Sequence, residues 1–306
     1  MGFHLNQRLL LVILTAAAAA AAEEQKCPTK CGNVNIPFPF GLTELCSLNT
    51  SFIITCNKTL SQPIPFLKID PKVRVLDISL DGQLHVSLPV ATSCVNNTIG
   101  ESEDENWLFE FKLKPFHLSS KQNKLTVLGG DAAGVVYDQG SRSGRLYITT
   151  ACVSVYSGLD KEPTNDESCS GTFCCETPIQ QRLSEFYIYS ANIIINNFTK
   201  SFQSYPCGYT FLVKDGAYNF SMTHLINFNR TNTFPVVLDW AVGNTCIDAQ
   251  KNASSYACKS KYSECHNAIV GPGYHCKCST GFQGNPYLPH GCQGLYILLL
   301  LTYTQY

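Results

Sequence analysis

The chain lacks the short signatures that most enzymes carry. It contains no G-x-S-x-G, no H-E-x-x-H and no kinase motif, and its seven histidines are scattered. His85 falls on the outer side of a strand, and His275 and His290 lie in a cysteine-dense segment, so each reads as a surface residue and not as a base. Carboxylates are present, but no spacing singles out a pair for glycoside hydrolysis. Net charge is also missing: the formal value is −1, so there is no bulk field to draw in a polyanion, and nucleic acid is a poor partner. After the N-terminus no apolar stretch is long enough for a membrane span. Leu295–Leu301 gives about seven residues where a spanning helix needs about 20. These absences favour a non-catalytic chain, and no cofactor is expected.

What is present points to secretion. Residues 1–22 read as a signal peptide: Arg8 is the positive region, Leu9–Leu14 and the alanine run are the apolar core, and Ala20-x-Ala22 is the cleavage site. The 16 cysteines are even in number and meet an oxidising compartment, so they are expected to pair. Cys174-Cys175 and Cys276-x-Cys278 lack the partner knuckles of a zinc site, and no metal is expected. N-x-S/T acceptors occur at Asn49, Asn57, Asn96, Asn197, Asn219, Asn229 and Asn252, about double the number chance would give, which favours a glycan-coated surface.

The periodicity is that of β-structure. Leu76, Ile78 and Leu80 alternate with polar residues, as do Leu84, Val86, Leu88 and Val90. With a three-residue loop, Asp81–Gln83, Leu80 falls opposite Leu84 and Ile78 opposite Val86. Phe109, Phe111 and Leu113 form another strand, and the acidic run Glu101–Glu105 reads as a solvated turn. Short strands follow at Leu125–Leu128, Val135–Tyr137 and Leu146–Thr149, and a longer one at Phe186–Ile195. Asp215-Gly216 predicts a primed two-residue hairpin with Phe211 opposite Phe220 and Val213 opposite Tyr218, both turn residues at positive φ. The fold class is all-β, disulfide-stapled β-rich domains followed by a small cysteine-dense module.

The stretch Cys27-Pro-Thr-Lys-Cys-Gly-Asn-Val-Asn-Ile-Pro-Phe-Pro-Phe-Gly41 sets the N-terminal boundary. Pro37 and Pro39 push Ile36 and Phe38 toward extended conformations, so Ile36–Phe40 is expected to run as an extended strap with Phe38 and Phe40 on one side. With Cys46 and Phe52-Ile-Ile-Thr-Cys56 after it, this stretch resembles the start of the ectodomain of plant wall-associated receptor-like kinases, their galacturonan-binding domain. Pro235-Val-Val-Leu-Asp-Trp240 resembles the closing strand of the cysteine-rich region in these ectodomains. Cys246, Cys258, Cys265, Cys276, Cys278 and Cys292, with Gly281-Phe282 and Gly284-Asn-Pro-Tyr, resemble an epidermal-growth-factor-like (EGF-like) module of the same proteins.

The resemblance implies several things. The chain divides into a galacturonan-binding-like domain at 27–90, a second β-rich cysteine-containing region at 91–241, an EGF-like module at 242–293 and an unassigned apolar tail at 294–306. The EGF-like bridges should be Cys246–Cys265, Cys258–Cys276 and Cys278–Cys292, while the pairing of Cys27, Cys31, Cys46, Cys56, Cys94, Cys152, Cys169, Cys174, Cys175 and Cys207 stays open. Family members usually carry cysteines where this chain has Gly130 and Tyr156, so one whole bridge is expected to be absent. The acidic cluster of calcium-binding EGF-like modules is also absent, Val242–Thr245 standing in its place, and Asn267, near the family's ligand position, is spaced differently from Tyr274. The resemblance stops at Gln293, which reads as a truncated or alternatively spliced product or a gene-prediction artefact. The implied ligand is pectin or an oligogalacturonide at the cell wall, outside the plasma membrane where the full-length family resides. Its carboxylates would meet a local basic surface of Lys26, Lys30, Lys58, Lys68, Lys72 and Arg74. The alternative is a protein-interaction module that uses the EGF-like part toward cell-wall or membrane proteins, without sugar affinity.

Overall fold

The computed structural model describes residues 27–59, 61–95, 106–139, 146–156, 168–193, 205–269 and 271–294. The segment 1–22 read as a signal peptide, Lys26, Asn96, Asn197, the acidic run at 101–105 and the residues from 295 lie outside them. The described chain is mostly β-strand with a few short helices. One antiparallel sheet runs β3 (Ile54–Asn57), β4 (Ile64–Leu67), β5 (Asp70–Ser79), β6 (Gln83–Pro89), β16 (Thr233–Asp239) and β9 (His117–Leu118). A second orders β13 (Cys174–Pro178), β10 (Asn123–Leu128), β15 (Cys207–Lys214) and β7 (Ala91–Cys94). A third orders β12 (Leu146–Ser154), β11 (Ala132–Gln139), β14 (Glu185–Asn192) and β8 (Leu108–Lys112). Three small pairs complete the set: β1 (Lys30–Cys31) with β2 (Val34–Asn35), β17 (Ser263–Asn267) with β18 (Tyr274–Cys278), and β19 (Phe282–Gly284) with β20 (Cys292–Gly294).

The first sheet is built from both ends of the chain. Its strands β3–β6 come from residues 54–89, but β16 pairs with β6 along its whole length, Val236 opposite Val86 and Leu238 opposite Leu84. Asn123 fastens this sheet to the second. It is 2% exposed, its amide donates to the carbonyls of Ser119 (2.7 Å) and Val237 (2.8 Å), and its Oδ1 accepts from Val237 N–H (2.9 Å). A buried amide with its partners supplied stabilises; left unpaired it would cost about 1–3 kcal/mol. The second and third sheets meet closely at Gly134, where a Cβ would overlap the side chains of Val127 and Thr210. Thr210 Oγ1 donates to Ser190 Oγ there (3.1 Å), and Ser190 Oγ to the Gly208 carbonyl (3.3 Å), so these two hydroxyls are satisfied.

The β5–β6 hairpin has a three-residue loop, but it is Leu80–Gly82, one residue earlier than the alternation suggests. Ser79 faces Gln83 and Ile78 faces Leu84, correcting the expected Leu80–Leu84 and Ile78–Val86 pairs. Farther from the loop, a bulge between Val75 and Asp77 shifts the pairing by one residue. It inverts the strand's parity, so Val73, Val75 and Ile78 all enter the core while Leu76 stays half-buried.

The hairpin at Asp215-Gly216 does not form. Ala217 N–H bonds the Lys214 carbonyl (2.9 Å) across the turn, but only Gly216 has a positive φ, 77°. Without a second positive φ the turn is not a primed one, so it does not return the chain along β15. β15 pairs instead with β10, Phe211 opposite Thr126 and Val213 opposite Lys124. Tyr218 meets Phe211 edge-on at 5.2 Å without pairing to Val213.

The N-terminal strap also departs from expectation. Phe40 N–H bonds the Pro37 carbonyl (2.9 Å), so Pro37–Phe40 is a turn and not an extended run. The turn drives Phe40 inward while Phe38 remains half-buried. Phe40 lies 5.0 Å from Phe52, 5.9 Å from Phe116 and 5.2 Å from Trp240. Burial of four aromatic rings outweighs the extended preference of the residues before proline, since each ring removes a large apolar area from water.

Eight bridges close the described chain, and no described cysteine is free. The first five are Cys27–Cys46, Cys31–Cys56, Cys94–Cys207, Cys152–Cys175 and Cys169–Cys174. The last three are Cys246–Cys265, Cys258–Cys276 and Cys278–Cys292, the order that the resemblance implies. Each stabilises by about 3 kcal/mol, chiefly by restricting the unfolded chain. The C-terminal module meets the first sheet at the Trp240 ring, and buried phenols brace the module internally. Trp240, 1% exposed, lies 5.9 Å from Tyr287, and its indole N–H is shared between the carbonyls of Ser79 (3.1 Å) and Gln83 (3.2 Å). The phenol of Tyr274 accepts from Ala257 N–H (2.8 Å), and that of Tyr287 from Cys276 N–H (3.1 Å).

Candidate functional site

The basic residues singled out by sequence sit on and beside the outer face of the first sheet. In β5, Val73 and Val75 point inward, which leaves Lys72 and Arg74 exposed. Cross-strand register sets Thr55, Phe66, Arg74 and Ser87 in one row across β3–β6, with Phe66 half-buried beside Arg74. The Cys31–Cys56 bridge holds β1 to β3 with its Cα atoms 5.7 Å apart, which brings Lys30 and Lys58 to one end of that edge. Gly32 (φ 57°) tightens the same corner: a Cβ there would overlap the Pro63 carbonyl in the β3–β4 loop.

The cations differ in their engagement. Lys68 is 3.6 Å from Glu44, and Lys72 is 3.1 Å from Asp70, a carboxylate 3% exposed. Asp70 also accepts from the N–H groups of Lys72 (3.2 Å) and Lys112 (3.3 Å), so it ties β5 to β8 as well as holding Lys72. Lys72 Nζ lies 5.7 Å from the centroid of the Phe111 ring. Lys30, Lys58 and Arg74 are exposed and, among the described residues, have no ion-pair partner. Those three are therefore free to meet an anionic polymer without first breaking a pair.

The acceptor asparagines within the described residues, Asn49, Asn57, Asn219, Asn229 and Asn252, are exposed or half-exposed. Asn57 Oδ1 accepts from the N–H (2.9 Å) and the hydroxyl (2.7 Å) of Thr59, next to Lys58. Asn267, weighed as a calcium ligand, instead accepts from Cys246 N–H at 2.7 Å.

His275 is not the surface residue expected. It is partly buried, its Nε2 is hydrogen-bonded to the Trp240 carbonyl, and burial pushes its pKa below the usual value. It lines a cleft of about 400 Å³ between the first sheet and the C-terminal module, together with Lys121, Arg182, Asp239 and Lys277. These residues come from separate stretches, and no local motif marks them, so only the folded chain brings them together.

Residues 27–88 match the family described as wall-associated receptor kinase galacturonan-binding. The chain is 34% identical over 273 residues to wall-associated receptor kinase 1 of Arabidopsis thaliana, covering 88% of this chain and 34% of that protein. Wall-associated receptor kinase 2 of the same plant is 34% identical over 275 residues, covering 89% of this chain and 35% of the relative. Wall-associated receptor kinase 5 is 33% identical over 273 residues, covering 88% and 34%. No solved structure matches the chain. The chain thus spans about a third of the length of the relatives it matches. Among the described residues no helix is long and apolar enough to cross a membrane. Residues 27–88 are a galacturonan-binding domain of the wall-associated receptor kinase type, in a chain homologous to the ectodomain region of those receptors.

Proposed function

We propose that this chain is a non-catalytic, glycosylated extracellular unit that binds galacturonan, the carboxylated polymer of pectin. The observation that carries the reading is the set of exposed cations free of ion pairs, Lys30, Lys58 and Arg74, on the domain matched at 27–88. Arg74 supplies a planar fork that suits a carboxylate, the lysines act as point charges, and Phe66 offers an apolar surface beside them. Exposed charges are screened within about 8 Å at physiological ionic strength, so the affinity is salt-sensitive.

The test is retention of the secreted protein on immobilised polygalacturonate and on its methyl ester over a salt series. The reading expects retention on the acid form that declines with salt, and weak retention on the ester. Equal retention on both, or none on either at low salt, would refute it and favour the protein-interaction alternative.

A further inference from the structure

The cleft at the seam of the first sheet and the C-terminal module is a second cluster of cationic side chains, apart from the exposed cations of β1, β3 and β5. It lies at the β5–β6 turn and the β16–β9 side of the sheet, whereas Lys58 follows β3 at the opposite edge. Its volume, about 400 Å³, falls in the range of small-ligand sites, and such sites favour boundaries between structural units.

The lining is cationic on balance. Lys121, Arg182 and Lys277 face the cleft against two carboxylates, Asp81 and Asp239. Asp81 is engaged by Lys277 at 3.6 Å. Burial raises the pKa of Asp239, which shifts it toward its neutral form, and burial likewise lowers that of Arg182. Both shifts mark a partly desolvated site, where a charge-assisted hydrogen bond is stronger than on the open surface. Arg182 is held against the C-terminal module at Gly271, where a Cβ would overlap its Nη1. Its side chain therefore reaches the seam because that position is glycine.

The neutral lining selects among anions. Gln83 and Gln122 line the cleft with amides that can donate and accept, while Ser119 bonds Asp239 and Asn267 Oδ1 is taken by Cys246 N–H, which leaves the Asn267 amide nitrogen as a donor. That pattern suits a molecule with many hydroxyls and one carboxylate better than an acidic peptide, whose side chains bring carboxylates alone. We propose that the seam cleft binds one uronate unit of a short acidic saccharide, with Arg182 and Lys121 on its carboxylate. The identity of the sugar rests on the galacturonan reading, but the site uses none of Lys30, Lys58 or Arg74.

Only two tryptophans occur in the chain, and Trp240 lines this cleft, so its emission reports occupancy. The experiment titrates the full secreted chain, carrying Trp107→Phe, with digalacturonate. The expected result is saturable quenching or enhancement, with affinity lowered about tenfold by Arg182→Gln and by Lys121→Gln. Lys121 is exposed, so its variant tests the site even if Arg182→Gln fails to fold. The combined Lys30→Gln, Lys58→Gln, Arg74→Gln variant should bind the disaccharide as the parent does while losing polymer retention. If the parent fails to bind digalacturonate, or Lys121→Gln binds it unchanged, the cleft assignment is overturned whatever the polymer does. If an aspartate-rich peptide binds the cleft and digalacturonate does not displace it, the saccharide assignment is also overturned. Disaccharide binding that depends on Lys121, without polymer retention by the parent, would sustain the cleft and refute the surface reading.

Discussion

The side-chain amide of Asn285 donates to the carbonyl of Phe38 at 2.7 Å, joining the C-terminal module to the N-terminal strap. The same side chain accepts from Tyr287 N–H at 3.0 Å, so one asparagine fixes the loop that presents Tyr287 to Trp240. The Gly284-Asn-Pro-Tyr287 sequence is therefore a docking element as well as part of a disulfide-rich module.

Asn285→Ala removes both bonds and should lower stability by about 1–3 kcal/mol. Asn285→Asp keeps the acceptor toward Tyr287 but sets a carboxylate oxygen against the Phe38 carbonyl, two acceptors facing each other, so its loss should be at least as large. Urea unfolding midpoints of the two variants check the order. Equal midpoints for parent and alanine variant would show that the module is not fastened there.

Acid should destabilise the chain through its histidines. Burial lowers the pKa of His85 and His275, and burial, helped by the charge of Arg182, pushes His117 down to about 4. A folded-state pKa below the ordinary 6.5 means the unfolded chain takes up protons first. Stability is therefore full above pH 6.5 and falls as the pH drops toward 4, by on the order of 1–2 kcal/mol at pH 5 for His117. Denaturant titrations at pH 7 and pH 5 measure this, and His117→Gln should flatten the difference. Burial raises the pKa of Asp239, which has the opposite sign: its cost appears as pH rises above the usual carboxylate range.

A ninth bridge should be installable. β11 and β12 end their pairing at Ala132 opposite Ser154, and that register, if continued two steps, would set Gly130 opposite Tyr156. Tyr156 N–H donates to Asp131 Oδ1 at 3.1 Å, and its ring lies 5.2 Å from Phe173, so hydrogen bonding and packing hold this corner. Opposed residues of an antiparallel pair lie at separations a disulfide accepts. Gly130→Cys with Tyr156→Cys should form a bridge, seen as no free thiol by mass after alkylation. Two alkylated thiols would show that the corner is arranged otherwise.

Sequence alternation located β5 and β6 of the first sheet, and it also located β8, where Phe111 is fully buried while Glu110 and Lys112 bond each other at 2.9 Å near the surface. It could not give what depends on distant partners. The bulge near Leu76 leaves no mark in an apolar alternation, yet it exchanges which residues of β5 enter the core beyond it. Asp215-Gly216 carried the chemistry of a tight turn, but β15 takes β10 as its partner, and that choice is made by the sandwich and not by the turn. The candidate cations were legible as residues; that Lys68 and Lys72 are engaged by Glu44 and Asp70 while Lys30, Lys58 and Arg74 are not was not. The seam cleft was invisible because Lys121, Arg182 and Lys277 meet only after docking.

The most direct measurement of the central claim is the affinity for immobilised polygalacturonate of the parent and two variants at low and physiological salt. One variant changes Lys30, Lys58 and Arg74 to glutamine; the other changes Lys68 and Lys72. The account predicts that the first loses most of the retention and most of its salt dependence, while the second keeps the greater part of both. Unchanged retention in the first variant, with its fold intact, would contradict the claim.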